Sequence, residues 1–122
     1  MSSLDLSPAM EDYLEAILIV AMQQAEVRSV DIARQLNVSK PSVWRAMTVL
    51  RDGNYLIVDE NHLLHLTHTG QEVAEKIYER HCFFTEQLIA VGVDPKIAEK
   101  DACRIEHVIS AESFKCLKKI FK

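Results

Sequence analysis

Two short amphipathic stretches separated by a three-residue break constrain this chain more than any other feature. Val30 to Leu36 turns Ile32, Ala33 and Leu36 to one side, and Asn37-Val38-Ser39 interrupts the pattern. Ser39 can cap a helix and Pro41 is tolerated in its first turn. Val43, Ala46, Met47 and Leu50 then recur at helical spacing until Asp52-Gly53-Asn54 ends the run. Two short helices joined by a tight turn form the helix-turn-helix pattern.

The outward face of the second helix indicates what the pattern is for. With Val43, Ala46, Met47 and Leu50 inward, Pro41, Ser42, Trp44, Arg45, Thr48 and Arg51 face out, and no acid precedes Asp52. N-terminal amides and hydroxyls suit phosphate, and Arg45 can reach the guanine major-groove edge bidentately. The competing reading is a solvated face with Trp44 packed on a neighbouring lobe. An exposed tryptophan beside cations is uncommon, which favours DNA.

Net charge opposes this at first sight: −4 at pH 7, with a pI near 5.7. Its distribution does not. Arg28 to Asn54 holds five bases (Arg28, Arg34, Lys40, Arg45, Arg51) against two acids, whereas Met1 to Val27 holds five acids and no base. A local basic face is compatible with DNA. Tyr55–Val58 and Leu63–Leu66 read as strands around a turn at Asp59–His62, which makes a wing. His62, His65 and His68 share no face with acidic partners and read as solvent-facing or phosphate-adjacent.

Upstream, Ser7-Pro8 signals a helix start, and Met10, Tyr13, Leu14, Ile17, Leu18 and Ala21 carry a stripe to about Met22. Asp12 and Glu15 lie one turn apart on its other edge. On their own they read as a solvated acidic first turn. Downstream, Thr67-His-Thr-Gly70 opens a long helix with Val73, Ile77, Phe84 and Leu88 on its stripe, and Gly92 beyond its end. His81 falls on that stripe. Asp94-Pro95 starts another helix, and Ser110 caps a last one that ends in Leu117, Ile120 and Phe121.

The fifth helix carries Cys103, Glu106 and His107 at i, i+3 and i+4, which places a thiol, a carboxylate and an imidazole on one helical face. Such a donor set suits a transition metal, and its presence raises His81 from core residue to candidate ligand. Three cysteines without disulfide spacing, and no apolar N-terminal or membrane-length run, point to a reducing cytosol. Cys82 and Cys116 read as small packing residues. A metallohydrolase is disfavoured, since neither His-Glu-x-x-His nor a Gly-rich phosphate loop occurs.

Ser7-Pro-Ala-Met-Glu-Asp-Tyr-Leu-Glu15, Asp31-Ile-Ala, Val38-Ser-Lys-Pro-Ser-Val43, Leu66-Thr-x-x-Gly70, Arg80-His81 and Asp101-Ala-Cys-Arg-Ile-Glu-His107 resemble the diphtheria toxin repressor and manganese transport regulator family. The resemblance covers nearly the whole chain. It implies a mainly α protein with a winged helix-turn-helix DNA-binding domain with a two-stranded wing over residues 1–70, and a helical metal-binding and dimerisation domain over 71–122. It further implies a cytoplasmic homodimeric repressor, not an enzyme, with no membrane association and no small-molecule substrate. The activator it implies is one or two Mn(II) or Fe(II) ions per subunit, and the implied partner is a palindromic double-stranded operator.

Carried over position by position, the implied metal ligands are Asp12, Glu15, His81, Cys103, Glu106 and His107. Asp12 and Glu15 resemble the manganese-sensing branch, and Cys103 the iron-sensing branch. The DNA-contacting set is Arg28, Ser39, Lys40, Pro41, Ser42, Trp44, Arg45, Thr48 and Arg51. The alternative is a winged-helix regulator whose acidic and histidine cluster is structural and senses no metal.

Overall fold

The computed structural model describes residues 6–120. Among these, six helices and one antiparallel pair of strands follow in the order α1 (Pro8–Gln23), α2 (Ser29–Leu36), α3 (Lys40–Asp52), β1 (Leu56–Val58), β2 (Leu64–Leu66), α4 (His68–Ala90), α5 (Pro95–Ile105) and α6 (Ala111–Ile120). The chain is mainly α, as its periodicities predict. It forms two compact units, Met1–Glu75 and Lys76–Lys122.

In the first unit the helix boundaries follow local chemistry. Ser7 Oγ accepts from Met10 N at 3.2 Å, and Ser39 Oγ from Ser42 N at 3.3 Å, so both predicted caps satisfy otherwise unpaired first-turn amides. Asn37 closes α2 in the left-handed region (φ 56°, ψ 51°), which asparagine tolerates better than most residues. The core is built from Leu14 and Ile17 of α1, Ile32 of α2, Val43 and Leu50 of α3 and Leu56 of β1, all fully buried. Each such side chain stabilises the fold by about 1.5–3 kcal/mol. All four residues of α3 read as inward are buried, and Trp44 stands out with 61% of its surface exposed.

The wing pairs Leu56 with Leu66, Ile57 with His65 and Val58 with Leu64. Leu56 and Leu64 point inward, and the Ile57–His65 pair faces solvent. Each strand is one residue shorter than its sequence pattern, because the flanking amides are used elsewhere. Tyr55 N donates to Leu50 O at 2.9 Å to finish α3, and Leu63 N donates to Asp59 Oδ1 at 3.0 Å.

At the base of the wing, Thr67 N donates to Tyr55 O at 3.1 Å, while the Thr67 hydroxyl donates to Asn54 O at 2.8 Å and accepts from Gly70 N at 3.0 Å. A Cβ on Gly70 would stand 2.0 Å from Tyr55 O. The Leu-Thr-x-x-Gly sequence therefore has a packing cause: threonine ties the start of α4 to the wing, and glycine lets the two backbones approach. At the tip, Asp59 Oδ1 also accepts from Asn61 N at 2.8 Å, and Oδ2 lies 2.8 Å from His65 Nε2.

In the second unit Asp94 caps α5 by accepting from Lys96 N at 3.1 Å, and Ser110 caps α6 by accepting from Ser113 N at 3.0 Å. Phe83, Phe84 and Phe114 form its aromatic centre, with ring centroids 5.2–5.9 Å apart. Two expectations need correction. α5 stops at Ile105, so only Cys103 of the metal-ligand triplet lies on the helix. Glu106 is the C-cap, and Val108 N bonds back three residues to Ile105 O, a tighter turn than the α-helical ladder. Cys116 is exposed, not packed, because α6 turns Phe114 inward and a residue two positions on points away from it. Ile120 is exposed too, and Phe121 lies outside the described residues.

Gly70→Ala is expected to lower stability by about 1–3 kcal/mol, as overpacking does, read as a drop in thermal midpoint; an unchanged midpoint would mean that the wing base moves aside freely. The Asp59 carboxyl is held below its usual range, first by the His65 hydrogen bond and then by the Leu63 amide. A depressed folded value means that the tip's stabilisation is present above the ordinary carboxylate range, about 4, and is lost as pH falls through the folded value. Amide exchange at Asn61 and Leu63 should accelerate on acidification in that direction only, and Asp59→Asn should abolish the dependence.

Candidate metal centre and nucleic-acid interface

Three donors converge in the second unit. α4 presents His81, the last turn of α5 presents Cys103, and the C-cap presents Glu106; one nitrogen, one sulfur and one carboxylate oxygen of these lie within 4.8 Å of one another. Glu106 Oε1 is 2.8 Å from His81 Nδ1. His107 stands on the other side of the same carboxylate, its Nε2 3.5 Å from Oε2, outside the His81–Cys103–Glu106 group. The i, i+3 pair of the triplet thus meets as the sequence predicts. The i+4 member, just past the cap, does not join that group.

The Glu106 side chain is fully buried, and His107 keeps only 6% of its side chain exposed. Removing a carboxylate from water costs several kcal/mol unless it is paired and hydrogen-bonded. Here Oε1 is bonded, while Oε2 makes no hydrogen bond. A buried carboxylate oxygen with spare acceptor capacity, beside a thiol and two imidazoles, fits a borderline-soft divalent ion. The His81–Glu106 bond also fixes the orientation of the imidazole, as outer contacts do at metal sites.

Asp12 and Glu15 lie one turn apart on α1 in the first unit. Asp12 is half-buried and Glu15 retains only 6% exposure, so a solvated acidic turn does not describe Glu15.

Also in the first unit, the N-terminal end of α3 carries a chain of polar contacts. The Ser39 hydroxyl donates to Ser42 Oγ at 2.9 Å, and Arg45 Nη2 donates to the same Ser42 oxygen at 3.4 Å. Lys40, Pro41, Trp44, Arg45 and Arg51 are exposed; Ser42 and Thr48 are partly so. Thr48 spends its hydroxyl on Trp44 O at 3.0 Å, and Arg51 pairs with Asp52 at 3.3 Å. Between α3 and the wing lies a depression of about 220 Å³ lined by Trp44, Met47, Thr48, Arg51, Val58, Asp59 and His62.

Arg28 is placed differently from the rest of the expected DNA set. It precedes α2 and donates from Nη1 to Asn61 O at 3.0 Å, linking that helix start to the wing tip. The role of Asp59 as organiser of the tip was missed in the sequence. Its signal was present in Asp59-x-Asn61, since aspartate accepts from the amide two residues on in tight turns.

Comparison with known proteins agrees with both regions. A family model described as "Iron dependent repressor, N-terminal DNA binding domain" matches residues 5–63, and one described as "Iron dependent repressor, metal binding and dimerisation domain" matches residues 67–122. The HTH-type transcriptional regulator MntR of Listeria monocytogenes is 35% identical over 107 residues, 88% of this chain and 75% of its own length. The transcriptional regulator MntR of Salmonella typhimurium is 33% identical over 103 residues, 84% of this chain and 66% of its own length.

Among solved structures, the manganese regulator SloR superposes with a TM-score of 0.84 at 24% identity, over 95% of this chain and 54% of that one. IdeR of T. acidophilum superposes with a TM-score of 0.77 at 24% identity, over 91% and 53%. The chain thus spans about half the length of these structures, which share its fold. With a DNA-binding half and a metal-binding and dimerisation half matched in order, the chain belongs to the iron-dependent repressor family, that of the diphtheria toxin repressor and the manganese transport regulators.

Proposed function

We propose that this protein is a metal-dependent transcriptional repressor that binds a palindromic DNA operator as a homodimer in the cytoplasm, controls genes of metal homeostasis and catalyses no reaction. The observation that carries the reading is the fully buried Glu106 carboxylate between His81 and His107, with the Cys103 thiol alongside. Against the alternative of a purely structural cluster, Glu106 Oε2 has a 3.5 Å contact with His107 but no hydrogen bond, which leaves it acceptor capacity for an ion. Further support comes from the regulators named MntR, which match most of the chain.

In this reading His81, Cys103, Glu106 and His107 hold the ion from the dimerisation half, and Asp12 and Glu15, which the family resemblance adds, hold it from the DNA-binding half. The ion is Mn(II) or Fe(II), one or two per subunit; when bound it supplies positive charge that offsets the mutual repulsion of three carboxylates and a thiolate. Residues 1–70 form the DNA-binding domain and 71–122 the metal-binding and dimerisation domain. Shared ligands couple the two. A symmetric dimer reads two half-sites only when its recognition helices stand about 34 Å apart, so any constraint on the halves acts on DNA affinity. Ser39, Lys40, Pro41 and Ser42 meet phosphate at the start of α3, Trp44, Arg45, Thr48 and Arg51 face the groove, and Arg28 supports the wing.

Titration of operator binding against Mn(II), Fe(II) and chelator tests this. Coupling of about 1–3 kcal/mol, or roughly 5- to 150-fold in affinity, is expected; DNA affinity indifferent to metal would sink the metal-sensor reading. In the same assay Arg45→Ala should weaken operator binding by about 1–3 kcal/mol and leave metal affinity intact.

Cys103→Glu replaces the soft donor with a hard one and should shift activation midpoints towards Mn(II) relative to Fe(II). Identical midpoints in both proteins would place the thiol outside the coordination sphere.

A further inference from the structure

We propose that Arg80 is a positioning residue for the metal centre, holding the turn that carries Glu106 and His107 in register with His81; the inference rests on the metal reading above. Glu106 and His107 follow α5, where helix carbonyls lack partners of their own and a segment has little to fix it. The turn is held internally by Glu106 N to Ala102 O (2.9 Å), Val108 N to Ile105 O (3.0 Å) and Ile109 N to Ile105 O (3.2 Å). Its carbonyls turn to α4. Arg80 Nη1 donates to Glu106 O at 3.2 Å and to Ile109 O at 2.9 Å, so a single nitrogen joins the two ends of the turn.

The guanidinium is itself fixed. Its central carbon lies 5.5 Å from the Phe114 ring centroid, a cation–π distance, and Phe114 packs edge-on against Phe83 of α4. Lys118 approaches the same ring at 4.9 Å and pairs with Glu79 at 2.7 Å. Arg80 therefore touches three elements at once: its own helix α4, the ligand-bearing turn and α6. It is also the chain neighbour of His81. The residue that holds the turn bearing two candidate ligands is thus the chain neighbour of a third. A guanidinium suits this role, being planar, permanently charged and able to stack while it donates.

The test uses Co(II) on the full chain, followed through the absorption of a Cys103 thiolate bound to cobalt, with amide exchange on the metal-free protein. Arg80→Met keeps the stem and removes the donors. Faster exchange at Val108 and Ile109 without metal is expected, together with a Co(II) affinity lower by roughly 10- to 100-fold, the usual effect of losing an outer contact at a metal site. Lys118→Met disturbs the same aromatic ring without touching the turn, and should leave Co(II) affinity unchanged. Where Arg80→Met does not fold, Arg80→Lys serves, since it retains a cation near Phe114 and loses the planar fork; it should show the same two changes.

An Arg80 variant that folds and binds Co(II) as the unmodified protein does overturns the proposal. Equal losses from the Arg80 and Lys118 substitutions overturn it as well, because they would reduce Arg80 to general packing. Co(II) binding measured by calorimetry on the unmodified protein separates failure of this role from failure of the metal reading: no binding at all overturns the metal reading itself and this role with it.

Discussion

A carboxylate with no access to water dominates the second half of this protein. Glu106 is fully buried, and burial of an ionised group is tolerated only where partners replace its hydration. His81 of α4 bonds to the carboxylate from outside its own stretch of chain, the adjacent His107 flanks it, and the Cys103 thiol of the last turn of α5 stands nearby. The end of α5, the path of the following turn and the placement of α4 must therefore agree before the charge can be accommodated. Neutral residues of similar size would leave that agreement optional.

The first half is governed by backbone proximity instead of charge. The carbonyl of Tyr55 receives the Thr67 amide and lies where only glycine can stand at position 70, and the same tyrosine's amide finishes α3. One residue thus terminates α3, opens the wing and receives the start of α4. Side-chain burial supplies most of the favourable free energy, but these main-chain contacts decide the register in which it is gained.

Much of this was legible in the sequence, for identifiable reasons. Helix α3 could be read because its cap, its apolar stripe and its outward residues all reported on one local element, and Val43, Ala46, Met47 and Leu50 are buried as their spacing requires. Cys103 and Glu106 could be paired for the same reason. What escaped was set by competition for hydrogen bonds. The strands are shorter than their patterns because Tyr55 and Leu63 spend their amides on Leu50 and Asp59. His107 falls outside the helix because α5 ends at Ile105 with Glu106 as its cap and Val108 N tightens onto Ile105 O, and no periodicity encodes where a helix yields to a turn. Burial of Glu15 was hidden too, since an acid in a first turn looks the same in sequence whether wet or dry.

The contacts among Ser39, Ser42 and Arg45 have a consequence for how such a surface can change. Ser39 caps α3 and also donates to Ser42, whose oxygen receives Arg45. The residue that starts the helix is thereby the first link in the support of the exposed Arg45. Helix capping and the arrangement of the outward face share a side chain, so a change at this cap alters helix stability and the support of Arg45 at once. The two properties can drift only together.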